Sequence, residues 1–106
     1  MLSQRTTDAV RLAARQLKEA REREMELENE RPVKKMEAIA RIMQFENALT
    51  HKAHSFSSAE AMVETDTEYA AYLTSCRMAV GHVIECRAEY EIATSTMRSS
   101  EMDVAA

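Results

Sequence analysis

Apolar residues recur at helical spacing in the first half of the chain. In the first thirty residues they follow alternating three- and four-residue steps, interrupted by Glu24: Val10, Ala13, Leu17, Ala20 and Leu27. This narrow stripe predicts a helix over residues 7–29, and a wider apolar stripe predicts a second helix over residues 32–51. Pro32 has no backbone N–H to donate, so it favours a break at residues 29–32. A single kinked helix is the alternative.

The clearest periodicity lies in the last third of the chain. Successive positions there are four and three residues apart: Tyr69, Leu73, Cys76, Val80, Val83, Arg87, Tyr90, Thr94 and Met97. A strict seven-residue repeat of this kind is typical of coiled-coil faces, so we expect one long helix over residues 67–97. Arg87 is the charged exception, and we expect it to reach solvent or a carboxylate.

Two predicted helix caps lie in the stretch before the long helix. Ser57 with Glu60, and Thr65 with Glu68, match the capping-box pattern, which places a short helix near Ser58 and the long helix near Thr67. Residues 52–57 are the expected loop. The small, polar residues 99–106 are expected to fray.

Composition supports an all-α fold. The chain has 106 residues with one glycine, Gly81, and one proline, too few turn residues for a sheet protein. We therefore expect one helical domain over residues 1–98, an elongated hairpin or bundle of three main helices. With five aromatic residues and no tryptophan, its core would be thin, which favours a homo-oligomer, most simply a dimer.

Charge is distributed unevenly along the chain. Residues 59–106 hold three arginines against nine carboxylates, which argues against binding nucleic acid along the whole length. A local basic face on the first two helices is the candidate nucleic-acid surface: Arg11, Arg15, Lys18, Lys34, Lys35 and Arg41. The first twelve residues lack the apolar region of a signal peptide, and no apolar run approaches a membrane span. We therefore expect a cytoplasmic protein without membrane contact.

Few residues in the sequence indicate catalysis or metal binding. His51 and His54 could share a metal, with Glu46 and Glu60 nearby or the cysteines Cys76 and Cys86 as further ligands. His82 lies far along the chain, and none of the three histidines belongs to a Glu-x-x-His motif. One glycine cannot build a glycine-rich phosphate loop. We therefore expect no enzyme and no cofactor, with a metal-binding helical bundle as a distant alternative. The two cysteines are expected to be reduced thiols, with an intermolecular disulfide as the alternative.

The stretch from Ser57 to Arg98 resembles a family. Its pattern Val63-x-x-Asp66-x-Glu68-Tyr69 leads into a long charged amphipathic helix, and this is similar to small all-helical proteins encoded in phage genomes. The resemblance implies a phage or prophage origin, hence a host cytoplasm, and it transfers no active site. Some of those proteins are encoded near replication or recombination genes.

Two functional hypotheses account for these features. The leading one is a non-enzymatic interaction protein that self-associates through the face running from Tyr69 to Met97. The alternative is a nucleic-acid accessory protein of phage replication or recombination, which would use the basic face.

Overall fold

The regular elements in the described part of this chain are helices. A computed structural model describes residues 4–45 and 52–105, with side chains described through Glu101. Helix α1 covers Gln4–Met43, α2 covers Phe56–Ala61, a 3-10 turn covers Val63–Thr65, and α3 covers Thr67–Ala105. The predicted all-α fold with a long C-terminal helix is confirmed.

The predicted break at Pro32 is wrong, because α1 runs through this residue without interruption. Pro32 is exposed, so its ring lies on the side of α1 that faces solvent. A proline inside a helix costs about 3 kcal/mol. Buried residues on both sides of it offset that cost: Leu27 before, and Ala38, Ile39 and Ile42 after.

The ends of the first and third helices also differ from the prediction. Helix α1 ends at Met43 rather than near His51, and His51 itself lies outside the described residues. Helix α3 begins at Thr67 as predicted but continues to Ala105, past Met97 and through the segment expected to fray. The alanine, serine and methionine residues of this segment tolerate helical backbone well enough to extend the helix.

The caps lie one or two residues away from the predicted ones. Ser55 caps α2, since its hydroxyl accepts a hydrogen bond from the amide of Ser58 at 3.2 Å. Asp66 caps α3, since its carboxylate accepts from the amide of Tyr69 at 2.9 Å. These contacts replace the two predicted capping boxes, because serine, threonine and aspartate all cap helices and several of them stand close together here.

The chain divides into two compact units, Met1–Met25 with Met78–Ala106, and Glu26–Arg77. We call them the terminal unit and the central unit. In the terminal unit the core cluster joins Leu17 and Ala20 of α1 to Val83 and Cys86 of α3. Residues of both helices also line one groove of this unit, Gln16 and Glu19 of α1 with His82 and Glu89 of α3.

The central unit adds polar contacts to its apolar core. Arg41 near the end of α1 binds Asp66 at the start of α3, and the hydroxyl of Tyr72 donates to the carbonyl of Leu27. The α1 and α3 segments therefore run antiparallel within this unit, because the end of α1 meets the start of α3 and the earlier residue Leu27 meets the later residue Tyr72. The Tyr72 hydroxyl thus contacts α1 about one turn before Pro32.

No helix in the described part of the chain is long and apolar enough to cross a membrane.

Candidate interaction surface

The structure separates the predicted interface residues into two sets. Tyr69, Cys76 and Val83 are buried, and Leu73, Tyr90 and Met97 are half-buried. Val80 and Arg87 are exposed. Arg87 reaches solvent, one of the two outcomes expected for a charge at this position.

The buried face of α3 follows a different set of steps. Its members are three and four residues apart: Tyr69, Tyr72, Cys76, Ala79, Val83 and Cys86. We call this set the inner seam. It shares the seven-residue column of Tyr69, Cys76 and Val83 with the prediction, but its second column lies three residues after the first rather than four. In the terminal unit, Val83 and Cys86 of this seam pack against α1.

A second row of heptad-spaced positions lies outside that contact. Its members are four and three residues apart along α3, all within the terminal unit: Val80, Ile84, Arg87, Glu91, Thr94 and Arg98. We call this set the outer seam. Thr94 is half-buried and the other five are exposed, with Val80 at 45% and Ile84 at 60% of full exposure. Residues at these spacings share one helix face, so the outer seam is a continuous strip.

A groove of about 550 Å³ borders the outer seam. Leu17 and Met25 of α1 and Tyr90 of α3 supply its apolar lining, and Arg21, Arg87 and Glu91 supply charge. All of these residues belong to the terminal unit. The outer seam therefore adjoins further apolar surface, which a flat polar helix face would not offer.

The charged residues of the outer seam have no partners inside the described part of the chain. The side chains of Arg87, Glu91 and Arg98 form neither an ion pair nor a hydrogen bond there. Thr94 is different, since its hydroxyl already donates to the backbone carbonyls of Tyr90 and Glu91 at 3.0 Å. Thr94 can therefore be covered by another molecule without losing a hydrogen bond to water.

Gly81 lies on α3 between Val80 and the groove residues. A Cβ atom at this position would meet, within 4 Å, no atom of the described residues apart from its own stretch of α3. Close approach of another backbone, one of the two explanations for a glycine inside a helix, is therefore not made within residues 4–45 and 52–105.

A second groove of the terminal unit is more polar than the first. Its lining includes Glu19, His82, Glu85, Cys86 and Glu89. The Cys86 sulfur lies 3.7 Å from Nε2 of His82, a contact that the four-residue spacing would have suggested. Burial, followed by the negative charges of Glu89 and Glu85, raises the pKa of the Cys86 thiol. The thiol is therefore held in its protonated form, which is a poor nucleophile.

The predicted basic face is divided between the units. Arg11, Arg15 and Lys18 belong to the terminal unit, and the remaining three belong to the central unit: Lys34, Lys35 and Arg41. The prediction joins them through a hairpin between two helices, and the continuous α1 removes that hairpin.

Most of these cations also face carboxylates. Lys35 lies 4.0 Å from Glu60, and Arg41 is bound by Asp66 at 2.7 Å and Glu68 at 2.9 Å. Arg11, Lys18 and Lys34 lie 3.9–4.0 Å from carboxylates on the same helix. Each carboxylate weakens the positive potential that a phosphate backbone would meet.

The histidines proposed as metal ligands lie in different surroundings. His54 lies 2.9 Å from the hydroxyl of Ser58 at the start of α2, and His82 is on α3 beside Cys86. Within residues 4–45 and 52–101, no three His, Cys, Asp or Glu side chains come together as a metal site would require. His51 cannot be placed, since it lies outside the described residues.

The sequence prediction did not include Glu91 and Arg98, which belong to the outer seam. The signal lies in the steps of four and three residues from Val80 to Arg98. It is easily overlooked because three of the six positions are charged, and charged positions are normally assigned to solvent.

No family model, no curated protein and no solved structure matches this chain. Its function must therefore be inferred from the contacts, burial and charges of its own residues.

Proposed function

We propose that this protein is a non-enzymatic helical interaction protein that self-associates through α3. The observation that carries the proposal is the outer seam, a heptad-spaced strip whose apolar members Val80 and Ile84 are exposed although the inner seam is already packed within the chain. Apolar residues at heptad spacing on a free helix face favour pairing with another helix.

The composition of the core supports the same conclusion. In the described part of the chain, seven of the fifteen buried apolar residues are alanine or cysteine, while twelve large apolar side chains remain exposed. A core of small residues buries little surface for each ordered residue, and association is a common way to add to it.

An origin in a phage or prophage genome is part of this proposal. Its support is the motif from Val63 to Tyr69, whose Asp66 caps α3 and whose Val63 and Tyr69 are buried. A position among phage genes would agree with it, and a position among unrelated housekeeping genes would contradict it.

Sedimentation equilibrium tests self-association directly. We expect a species of twice the 12.0 kDa chain mass at micromolar concentration. Ile84→Asp should shift the protein to monomer with unchanged helical content, because it places an unpaired charge in the contact at a position that is 60% exposed and that the fold does not need. A wild-type protein that stays monomeric throughout would refute the proposal.

Met78→Asp is the matched control. Met78 is also on α3 and is 70% exposed, but it lies outside the outer seam. The control should therefore remain a dimer. Dissociation by both variants would show a general effect of negative charge on α3 instead of a contact at Ile84.

A further inference from the structure

The order of residues along the outer seam is self-complementary. A two-fold axis beside α3 at the level of Glu89 pairs each member of the seam with another member on an antiparallel copy. Arg87 meets Glu91, Ile84 meets Thr94 and Val80 meets Arg98. This is the pairing that antiparallel coiled coils make between their two core positions.

The charges and polar groups of these residues fit the arrangement. Arg87 and Glu91 lack partners in the described chain and carry opposite charge, so the axis creates two Arg87–Glu91 ion pairs for each dimer. The hydroxyl of Thr94 is satisfied by its own helix, which leaves its methyl group free to cover Ile84. The aliphatic part of Arg98 can cover Val80 while its guanidinium stays in water.

We propose that the outer seam binds the outer seam of a second copy of this chain in antiparallel orientation, with the Arg87–Glu91 pairs setting the register. This inference rests on the proposed self-association and adds to it the surface, the orientation and the register. A parallel pair would place Arg87 against Arg87 and Glu91 against Glu91, and like charges would oppose it.

Charge reversal tests the register. Arg87→Glu alone places two like-charged pairs in the dimer, and we expect the dissociation constant to rise about tenfold or more at low salt. Glu91→Arg alone should weaken the dimer similarly. The double variant Arg87→Glu/Glu91→Arg restores opposite charges and should return the dissociation constant to within about threefold of wild type. Both positions are solvent-exposed in the monomer, so circular dichroism should show unchanged folding.

Disulfide trapping tests the orientation. In the antiparallel register, Ile84→Cys/Thr94→Cys places two thiols opposite each other, and mild oxidation should give a covalent dimer with an 84–94 link by peptide mapping. Ile84→Cys alone should not cross-link, because its two copies would lie about 15 Å apart along the axis, well beyond disulfide reach.

The outcomes separate this inference from the proposed function. A monomeric wild type overturns both. A dimer that is insensitive to Arg87→Glu, or one that cross-links through position 84 alone, overturns the register and orientation while self-association stands. A dimer that instead dissociates with Met36→Asp assigns the contact to the exposed apolar side of α1 and likewise overturns the inference.

Discussion

The terminal and central units contain segments of the same two long helices, yet different contacts hold them. The core cluster of the terminal unit consists of Leu17, Ala20, Val83 and Cys86, with Tyr90 packed against it. The central unit buries Ile39 almost completely and joins its elements through Arg41, Asp66 and the hydroxyl of Tyr72. Directional polar contacts therefore define the pairing in the central unit.

This comparison indicates which unit would gain more buried apolar surface from self-association. The central unit has a larger apolar core and polar cross-links, while the terminal unit has a small core, an apolar groove and the outer seam. A second copy on the outer seam would cover apolar surface on the unit whose own core is smaller. Stability and self-association are thus expected to be coupled in the terminal unit.

The largest expected effects come from truncating one core side chain in each unit and comparing the two losses in the free energy of unfolding. Ile39 is 2% exposed, so Ile39→Ala should lower the free energy of unfolding by about 3 kcal/mol. Leu17 lines the open groove, so water can enter the space that Leu17→Ala leaves, and we expect a loss of about 2 kcal/mol. Urea unfolding followed by circular dichroism, at a concentration where the protein is monomeric, measures both. Equal losses would contradict the comparison.

Replacing Pro32 tests the continuity of α1 in the central unit. Pro32→Ala restores the missing backbone hydrogen bond at an exposed position and should raise the free energy of unfolding by about 2 kcal/mol, after the greater freedom of the unfolded chain is deducted. Thermal unfolding measures the change. A substitution without effect would indicate that α1 gains nothing from an intact hydrogen-bond ladder here. Val33→Ala, next to it and also exposed, is the control and should change stability far less.

Replacing Asp66 should have the smallest of these effects on the free energy of unfolding, and this effect should depend on pH. The Arg41 guanidinium, followed by the Tyr69 amide, lowers the pKa of Asp66. Its stabilising effect is therefore complete above the usual carboxyl pKa of about 4 and is lost as the pH falls through the lowered value. Asp66→Ala also removes the helix cap, and the loss of the cap should lower the free energy of unfolding by about 1 kcal/mol.

Asp66→Asn separates the cap from the charge. Asparagine also caps helices, so this variant should lose only the Arg41 contact. The difference between wild type and Asp66→Asn should shrink as the pH falls from about 4 through the lowered pKa of Asp66, where the carboxylate of the folded protein becomes protonated. A difference that is constant across this range would show that the ion pair does not stabilise the fold.

The sequence was sufficient for the apolar pattern of α1. Ala13, Leu17, Ala20 and Leu27 are buried as predicted, because the alternative column four residues after Leu17 and Glu24 is charged, at Arg21 and Glu28. It was not sufficient at Pro32. The local cost of a proline is readable from the sequence, but the packing of Ala38, Ile39 and Ile42 that offsets it depends on elements distant in the chain.

The face of α3 was ambiguous for a geometric reason. A seven-residue repeat fixes one column of positions, here Tyr69, Cys76 and Val83, and allows the second column on either side of it. The prediction uses the side with Val80 and Arg87, whereas the fold buries the side with Ala79 and Cys86. The charge of Arg87 against the small apolar Cys86 is the signal in the sequence that favours the correct side.

The two cysteines provide each unit with its own reporter. Cys76 belongs to the central unit and Cys86 to the terminal unit, and both thiols are free and buried. A thiol reagent can modify each only when the surrounding helices separate, so the labelling rate at each position measures a local opening equilibrium. Mass spectrometry of the two peptides would therefore give two separate opening free energies from the natural chain. If labelling of Cys86 slows as the protein concentration rises and labelling of Cys76 does not, the terminal unit is protected by self-association. This measurement needs no introduced probe.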